Sequence, residues 1–422
     1  MLLQFTFQNF RSFRDEATLD LTAAELPEEA DVERYVSVDG EKVLRAAAIY
    51  GANGGGKSNV VKAFQSMGWY VCNSHNFEDD GEHLQSRVFP RPFLFDAVSK
   101  DVKTSFEVYF LVSGEPGKTY NYGFTVGEDG VDEEWLNVKN APEDQFCQVF
   151  YRKGKSVDLD SFTKPTRDML EITFRKETLV VSAGAKLNID PLKVVRDFFK
   201  SSDVLSFGLP EENWVLSRTF PRFERDEERE TFFKGVAPFL QTFDPSIVAT
   251  RYEIVKTEKK GTIINLFAAH KTAGSDELTF IPMTEESDGT QKMLALYRYL
   301  REVFDKGSLL FIDELNSRLH PLLQRSVLLS FLDPRQNPNG AQLVFTTHEP
   351  WLLDCHLLHR DEVWFAEKDK SGASTLYSLA EFQQDDQRPN YLENYLYGNY
   401  GAIPRLTAFR PVEPKENSDE HE

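Results

Sequence analysis

One stretch, AAAIYGANGGGKSNVVKAF from Ala46 to Phe64, constrains this chain more than any other. An apolar run from Leu44 to Tyr50 reads as a buried strand, and it ends in a glycine-dense loop. The loop ends in Lys57-Ser58, ahead of a helical pattern. Gly51, Gly56, Lys57 and Ser58 fit G-x-x-x-x-G-K-[ST] in the strand–loop–helix setting where that spacing has a chemical purpose. Glycines let backbone N–H groups curl around a phosphate, and the following helix points its positive end at the anion. The residues Gly51, Ala52, Asn53, Gly54, Gly55, Gly56, Lys57, Ser58 and Asn59 are therefore expected to cradle a nucleoside triphosphate. Lys57 is expected at the β- and γ-phosphates, and the Ser58 hydroxyl at Mg²⁺.

Three further segments fit around that loop. SLLFIDEL is an apolar strand ending in Asp313 and Glu314. Asp313 is the acidic partner of Ser58 at the metal, and Glu314 is placed to accept a proton from an attacking water. LVFTTHEP ends a strand at His348, which can position that water or sense the γ-phosphate. In EESDGTQKML, Ser287 reads as the N-cap of a helix beginning near Gly289, with a positive end that suits a phosphate. The chain's own phosphate is already held by Lys57. The simplest solution is that Ser287 and Gly289 cap the γ-phosphate bound to a second copy.

Around these segments the chain reads as α/β. Leu3, Phe5 and Phe7 alternate with polar residues and open an N-terminal hairpin. TSFEVYFLV, TYNYGFTV and QFCQVFYR then read as an antiparallel meander. A first lobe is expected over 1–152 and a mainly helical insertion over 153–250. A second lobe carrying the Ser287, Asp313-Glu314 and His348 segments is expected over 251–384, followed by a C-terminal element over 385–411. The acidic tail over 412–422 is expected to be disordered. Within the insertion, Asp190 is a candidate N-cap, with Pro191 at the first helical position. No sustained heptads are present, so coiled-coil arms are not expected.

Composition narrows the partners. The 68 acidic residues outnumber the 48 basic ones for a net charge of −20, which is ill suited to holding DNA by bulk electrostatics. Three widely spaced cysteines show no metal or disulfide spacing, no run reaches membrane-span length, and the N-terminus reads as a strand. The expectation is a soluble cytoplasmic protein that does not engage a membrane.

Phosphate loop, Ser-x-Gly, Asp-Glu and His occur in the order of ABC-type ATPase heads, the group of the SMC and RecF proteins. FTFQNFRSF resembles the opening strand of those heads. Through SDGTQKML, IDELNSRLHPLL, TTHEPWLLD and YLYGNYGAIPRL the chain most resembles the OLD-like and RloA-like AAA family ATPases of bacterial antiphage operons. That resemblance implies a P-loop NTPase of ABC type with a mixed central sheet, an antiparallel β subdomain, and a helical insertion in place of coiled-coil arms. It also implies ATP and Mg²⁺ as cofactors, with Lys57, Glu314 and His348 catalytic, Ser58 and Asp313 at the metal, and Ser287 and Gly289 acting in trans. Asn316 to His320 would lie in the segment that crosses the dimer. The implied partners are a second copy, paired through ATP or built into a larger ring, and an effector such as a Toprim-type nuclease or a toxin. Any nucleic acid would be reached through the effector.

Two departures from the family pattern stand out. The usual Leu-Ser-Gly-Gly reads Glu286-Ser287-Asp288-Gly289, placing a carboxylate where the nucleotide approaches. The glutamine that links Mg²⁺ to the second lobe has Gln85 as its candidate, beside SRVFPRPFLFD. Both imply hydrolysis that is slow or gated by a partner. Two alternatives stay open. A DNA repair ATPase would draw phosphate contacts from the clusters Tyr151–Lys155 and Lys256–Lys260. An ATP-binding scaffold would have negligible turnover. The C-terminal aromatic residues, with Arg405 and Arg410, fit either an effector interface or packing onto their own head.

Overall fold

The computed structural model describes residues 1–26, 35–38, 40–77, 90–112, 115, 117–143, 145–207, 220–221, 223–257, 261–354, 357–383 and 390–404. Along the chain, strands β1 (Leu2–Gln8) and β2 (Ala17–Asp20) form the expected N-terminal hairpin, and β3 (Tyr35–Val38) pairs with β4 (Glu41–Leu44). Strand β5 (Ala46–Tyr50) leads through the glycine loop into α1 (Lys57–Asn73). Strands β6 (Thr104–Leu111), β7 (Lys118–Gly127), β8 (Gly130–Asn140), β9 (Cys147–Lys153) and β10 (Ser156–Asp158) build the meander. With β1 and β2 they make a seven-stranded antiparallel sheet in the order β10-β9-β8-β7-β6-β1-β2.

Next come α2 (Lys164–Thr173), α3 (Val180–Lys186), α4 (Leu192–Ser201), β11 (Asp203–Ser206) and α5 (Asp226–Gln241). The three-stranded antiparallel sheet of β12 (Ile247–Thr257), β13 (Gly261–Lys271) and β14 (Leu278–Pro282) precedes α6 (Asp288–Lys306). The remainder is β15 (Leu309–Asp313), α7 (Pro321–Leu332), β16 (Gln342–Thr346), α8 (Trp351–Asp354), β17 (Val363–Lys368), β18 (Ser374–Ser378) and α9 (Tyr391–Leu396).

The central sheet runs β11-β15-β16-β5-β17-β18, parallel except for the β17–β18 hairpin. Its inner strands are buried on both sides, which is why AAAIY, LLFID and QLVFT read as continuous apolar runs. Alternate residues serve two cores. Ala47, Ile49, Phe311 and Val344 face α1 and the seven-stranded sheet, whereas Ala48, Tyr50, Ile312 and Phe345 face α5, α6, α7 and the C-terminal element. Helix α1 is the filling between the two sheets. Phe64 stacks on Phe311 at 4.5 Å and meets Phe5 edge-on at 5.4 Å.

The stretch 153–250, expected to be mainly helical, holds α2 to α5 together with short strands: β10 extends the meander, and β11 pairs in parallel with β15 as an edge of the central sheet. One expectation needs correction. The α4 helix begins at Leu192 with Pro191 as its N-cap, one residue later than the Asp190-Pro191 pattern suggests. Among the described residues, no helix is long and apolar enough to cross a membrane.

Candidate nucleotide site

The parallel strands β15, β16, β5 and β17 end on one edge of the central sheet, where α/β folds of this kind place their ligands. The loop after β5 lies so close to β17 that two of its glycines are sterically required. A Cβ on Gly51, whose φ is +149°, would stand 2.2 Å from the Ala366 carbonyl oxygen, and one on Gly55 would stand 2.6 Å from the same atom. Beneath the loop, the opening segment contributes Ser12, whose hydroxyl oxygen accepts from Asn59 Nδ2 at 2.7 Å and from Ser374 Oγ at 2.8 Å.

Lys57 is buried and bends back over the loop, donating to Gly51 O at 2.7 Å and Ala52 O at 3.1 Å. Burial pulls its ammonium down to about 8, against the attraction of Asp313 and Glu314. His348 Nδ1 lies 3.4 Å from Lys57 Nζ. An ammonium can only donate, so Nδ1 accepts and the proton of the neutral ring sits on Nε2. Burial, and then the Lys57 charge, lower the pKa of His348, which favours that neutral form.

Asp313 is the hub of the other side. Its Oδ1 accepts from Ser58 Oγ at 3.0 Å and from Thr346 Oγ1 at 2.7 Å. Thr346 in turn accepts from the Glu314 N–H at 2.8 Å, fixing the turn in which Glu314 adopts φ +58°. Asn316 Oδ1 accepts from the His348 N–H at 3.2 Å, so the segment after Glu314 also holds the histidine loop.

These groups surround a cavity of ≈ 430 Å³, lined by the loop from Asn53 to Asn59 with Glu314, His348 and Lys368. Nine predicted positions thus meet at one place: Asn53, Gly54, Gly55, Gly56, Lys57, Ser58, Asn59, Glu314 and His348. Gly51 and Ala52 form the loop's base, and Asp313 sits behind Ser58. Lys368, at the end of β17, escaped sequence reasoning. Only the strand order, with β17 beside β5, brings it to the loop.

The donor set fits a magnesium nucleotide. Glycine amides and two lysines face a cavity wide enough for a polyphosphate. A hydroxyl and a carboxylate already in contact match the one or two protein ligands that Mg²⁺ takes when phosphates and waters supply the rest. Among the described residues no group of three or more His, Cys, Asp or Glu gathers as a metal cluster.

Ser287 and Gly289 are elsewhere. Neither lines the cavity. Ser287 is the N-cap of α6, its Oγ accepting from the Thr290 N–H at 3.1 Å. Asp288 is not a bare carboxylate: Arg318 Nη1 donates to its Oδ2 at 2.6 Å. Of the described C-terminal aromatic residues, Tyr391, Tyr395 and Tyr400 pack onto their own head, whereas Tyr397 is exposed. Tyr395 lies 5.6 Å from Phe365 and 5.9 Å from Tyr50, and Tyr400 lies 5.7 Å from Phe365. The Tyr151–Lys155 cluster is not a free basic patch either. Arg152 is buried and donates to the main-chain oxygens of Gly154, Thr178 and Arg175, and Lys153 pairs with Glu133 at 2.9 Å. Gln85, Lys259, Lys260, Arg405, Arg410 and the tail 412–422 lie outside the described residues.

Fold and site together define an α/β P-loop domain built around a nucleotide-sized cavity. The family model described as "AAA domain, putative AbiEii toxin, Type IV TA system" matches residues 46–354, and the chain belongs to that family. No curated protein matches it. Among solved structures, an Smc head bound to the C-winged helix domain of ScpA is similar at 11% identity and TM-score 0.47, covering 89% of this chain and 97% of that one. The Smc head domain of Pyrococcus furiosus with an extended coiled coil, bound to the C-terminal domain of ScpA, aligns at 12% identity and TM-score 0.41, covering 89% and 96%. The recombination mediator protein RecF with ATP aligns at 12% identity and TM-score 0.32, covering 89% and 97%.

Proposed function

We propose that this chain hydrolyses ATP in a site completed by a second copy of itself, and that the nucleotide cycle holds and releases a partner effector in the cytoplasm as part of antiphage defence. One observation carries the two-copy reading. Lys57, Ser58, Asp313, Glu314 and His348 converge on one cavity, while Ser287 and Gly289, which the family resemblance assigns to the γ-phosphate, stand outside its lining.

In the hydrolysis step, the loop amides, Lys57 and Lys368 hold the phosphates. His348 Nε2–H positions the γ-phosphate and its attacking water. Glu314 takes the water's proton as the water oxygen bonds to the γ-phosphorus, and the bond from that phosphorus to the bridging oxygen breaks toward ADP. Ser58 and Asp313 would hold Mg²⁺, which neutralises charge developing on the phosphate oxygens.

Complementation tests the reading. Lys57→Ala abolishes nucleotide capture by one copy, and Ser287→Ala removes the trans contact from the other. Each alone is expected to be nearly inactive. A mixture should recover activity, because it contains pairs with one whole site. A mixture as inactive as its components contradicts the two-copy site.

A further inference from the structure

Two carboxylates flank Ser287, Asp288 on one side and Glu286 on the other, and the structure treats them differently. Asp288 stays at the surface, paired with Arg318. Glu286 is turned inward. Within the run from Thr284 to Asp288 the other four residues are exposed, whereas only 7% of the Glu286 side chain is accessible. Its Oε1 lies 2.7 Å from His270 Nε2. A carboxylate accepts, so Nε2 carries a proton and donates it.

His270 is built to hold that contact. It sits in β13, paired with Ile247 of β12 and Thr279 of β14. It shares a strand face with Leu266 and Ala268, which belong to the core beneath. Its other ring nitrogen, Nδ1, lies 3.3 Å from Ser246 Oγ. Asp244 Oδ1 in turn accepts from the Ser246 hydroxyl at 2.6 Å and from the Ser246 N–H at 3.0 Å. The ring is thus fixed at both nitrogens. From the opposite side, Gln291 Nε2 donates to Glu286 O at 2.8 Å and to Thr284 O at 3.1 Å. The segment before Ser287 is tied to α6 by its main chain and to the three-stranded sheet by one side chain.

The positive end of a helix draws whichever anion can reach it. A carboxylate one residue before the N-cap competes with an incoming phosphate for that end unless another group restrains it. We propose that His270 is a positioning residue for the composite site: it draws the Glu286 carboxylate into the sheet and keeps it off the helix end that Ser287 and Gly289 offer to the other copy's γ-phosphate. This inference rests on the two-copy reading above.

The test uses purified full-length chains with ATP and Mg²⁺. His270→Ala is expected to lower kcat about tenfold, the scale of one hydrogen bond to a charged group. Its ADP affinity should keep the wild-type value, because His270 does not line the cavity and ADP has no γ-phosphate. His270→Gln, whose amide can still donate to a carboxylate, should recover part of the loss. His270→Ala/Glu286→Leu should recover most of it, since no carboxylate is left to restrain; a tie that only braces the fold is not mended by removing its second half. Mixing His270→Ala with Lys57→Ala should also restore turnover, because the second chain brings an intact helix end to the nucleotide of the first. Wild-type kcat in His270→Ala, lost ADP affinity, or a double variant as slow as the single one overturns the proposal. If Lys57→Ala complements Ser287→Ala but not His270→Ala, the role given to His270 is wrong and the two-copy site stands. If neither mixture recovers, the two-copy site itself fails, and this role falls with it.

Discussion

Ser58 Oγ donates to Asp313 Oδ1 across 3.0 Å, although 255 positions separate the two residues in the chain. The contact exists because β15 and β5 flank β16 in one parallel sheet and end at the same edge.

Thr346 is the bracket of this arrangement. It is fully buried and bonds both Asp313 Oδ1 and the Glu314 N–H. Thr346→Val keeps the shape and removes both bonds, leaving a buried N–H and part of a carboxylate unsatisfied. The expected loss of stability is about 2 kcal/mol, read by denaturant unfolding, with more Mg²⁺ needed for half-maximal turnover. Wild-type values for both would show that the bracket does nothing.

Lys368 stands at the cavity rim on an exposed strand end. A flexible surface ammonium adds modest affinity for phosphate, and salt screens it. Lys368→Ala should weaken ATP binding a few-fold at low salt, and the gap should close as salt rises. Equal affinity at low salt would remove this lysine from the site.

How much of this was open to a reader of the sequence alone depends on how local each signal is. The phosphate loop, Asp313-Glu314 and His348 carry their chemistry within a few residues of a strand end, so spacing reveals them. Strand order is not local, and Lys368 is invisible without it. The four residues of β11 are too short to show a period, and they follow a helix, so they read as part of it. The Asp288 carboxylate looks unpaired until the turn after Glu314 delivers Arg318. The C-terminal tyrosines suit an interface or a core equally well by composition. Stacking on Phe365 assigns Tyr395 and Tyr400 to the core, and leaves Tyr397 exposed.

Tyr395 tests that packing. Its ring packs on both Tyr50 and Phe365, and its hydroxyl donates to Ala402 O at 3.3 Å. Tyr395→Ala should cost about 3–5 kcal/mol, the usual range for emptying a buried aromatic site. ATP affinity should fall as well, because the ring backs the strand that carries the loop. Unchanged unfolding would return this segment to the surface.

Glu134 gives a pH dependence of definite sign. Burial pushes its carboxyl up to about 7, against the pull of Arg152 and hydrogen bonds from Val181, Val180 and Tyr122. Between about pH 4.5 and 7 the folded chain keeps a proton that the unfolded chain has released. Stability from this group is therefore fully present below pH 4.5 and is lost as pH rises through 7, by on the order of 3 kcal/mol. Glu134→Gln has no proton to lose and should flatten that part of the stability profile. A variant with the wild-type slope would assign the dependence to another group.

The central claim is that one chain carries half of a working ATP site. Sedimentation velocity of Glu314→Gln with ATP and Mg²⁺ tests it most directly, because blocked turnover should trap the paired state. The expected result is a dimer or larger assembly that forms only with ATP and is lost when Ser287→Ala is added to the same chain. A Glu314→Gln chain that stays monomeric at saturating ATP, or that assembles equally well with Ser287→Ala, contradicts the account.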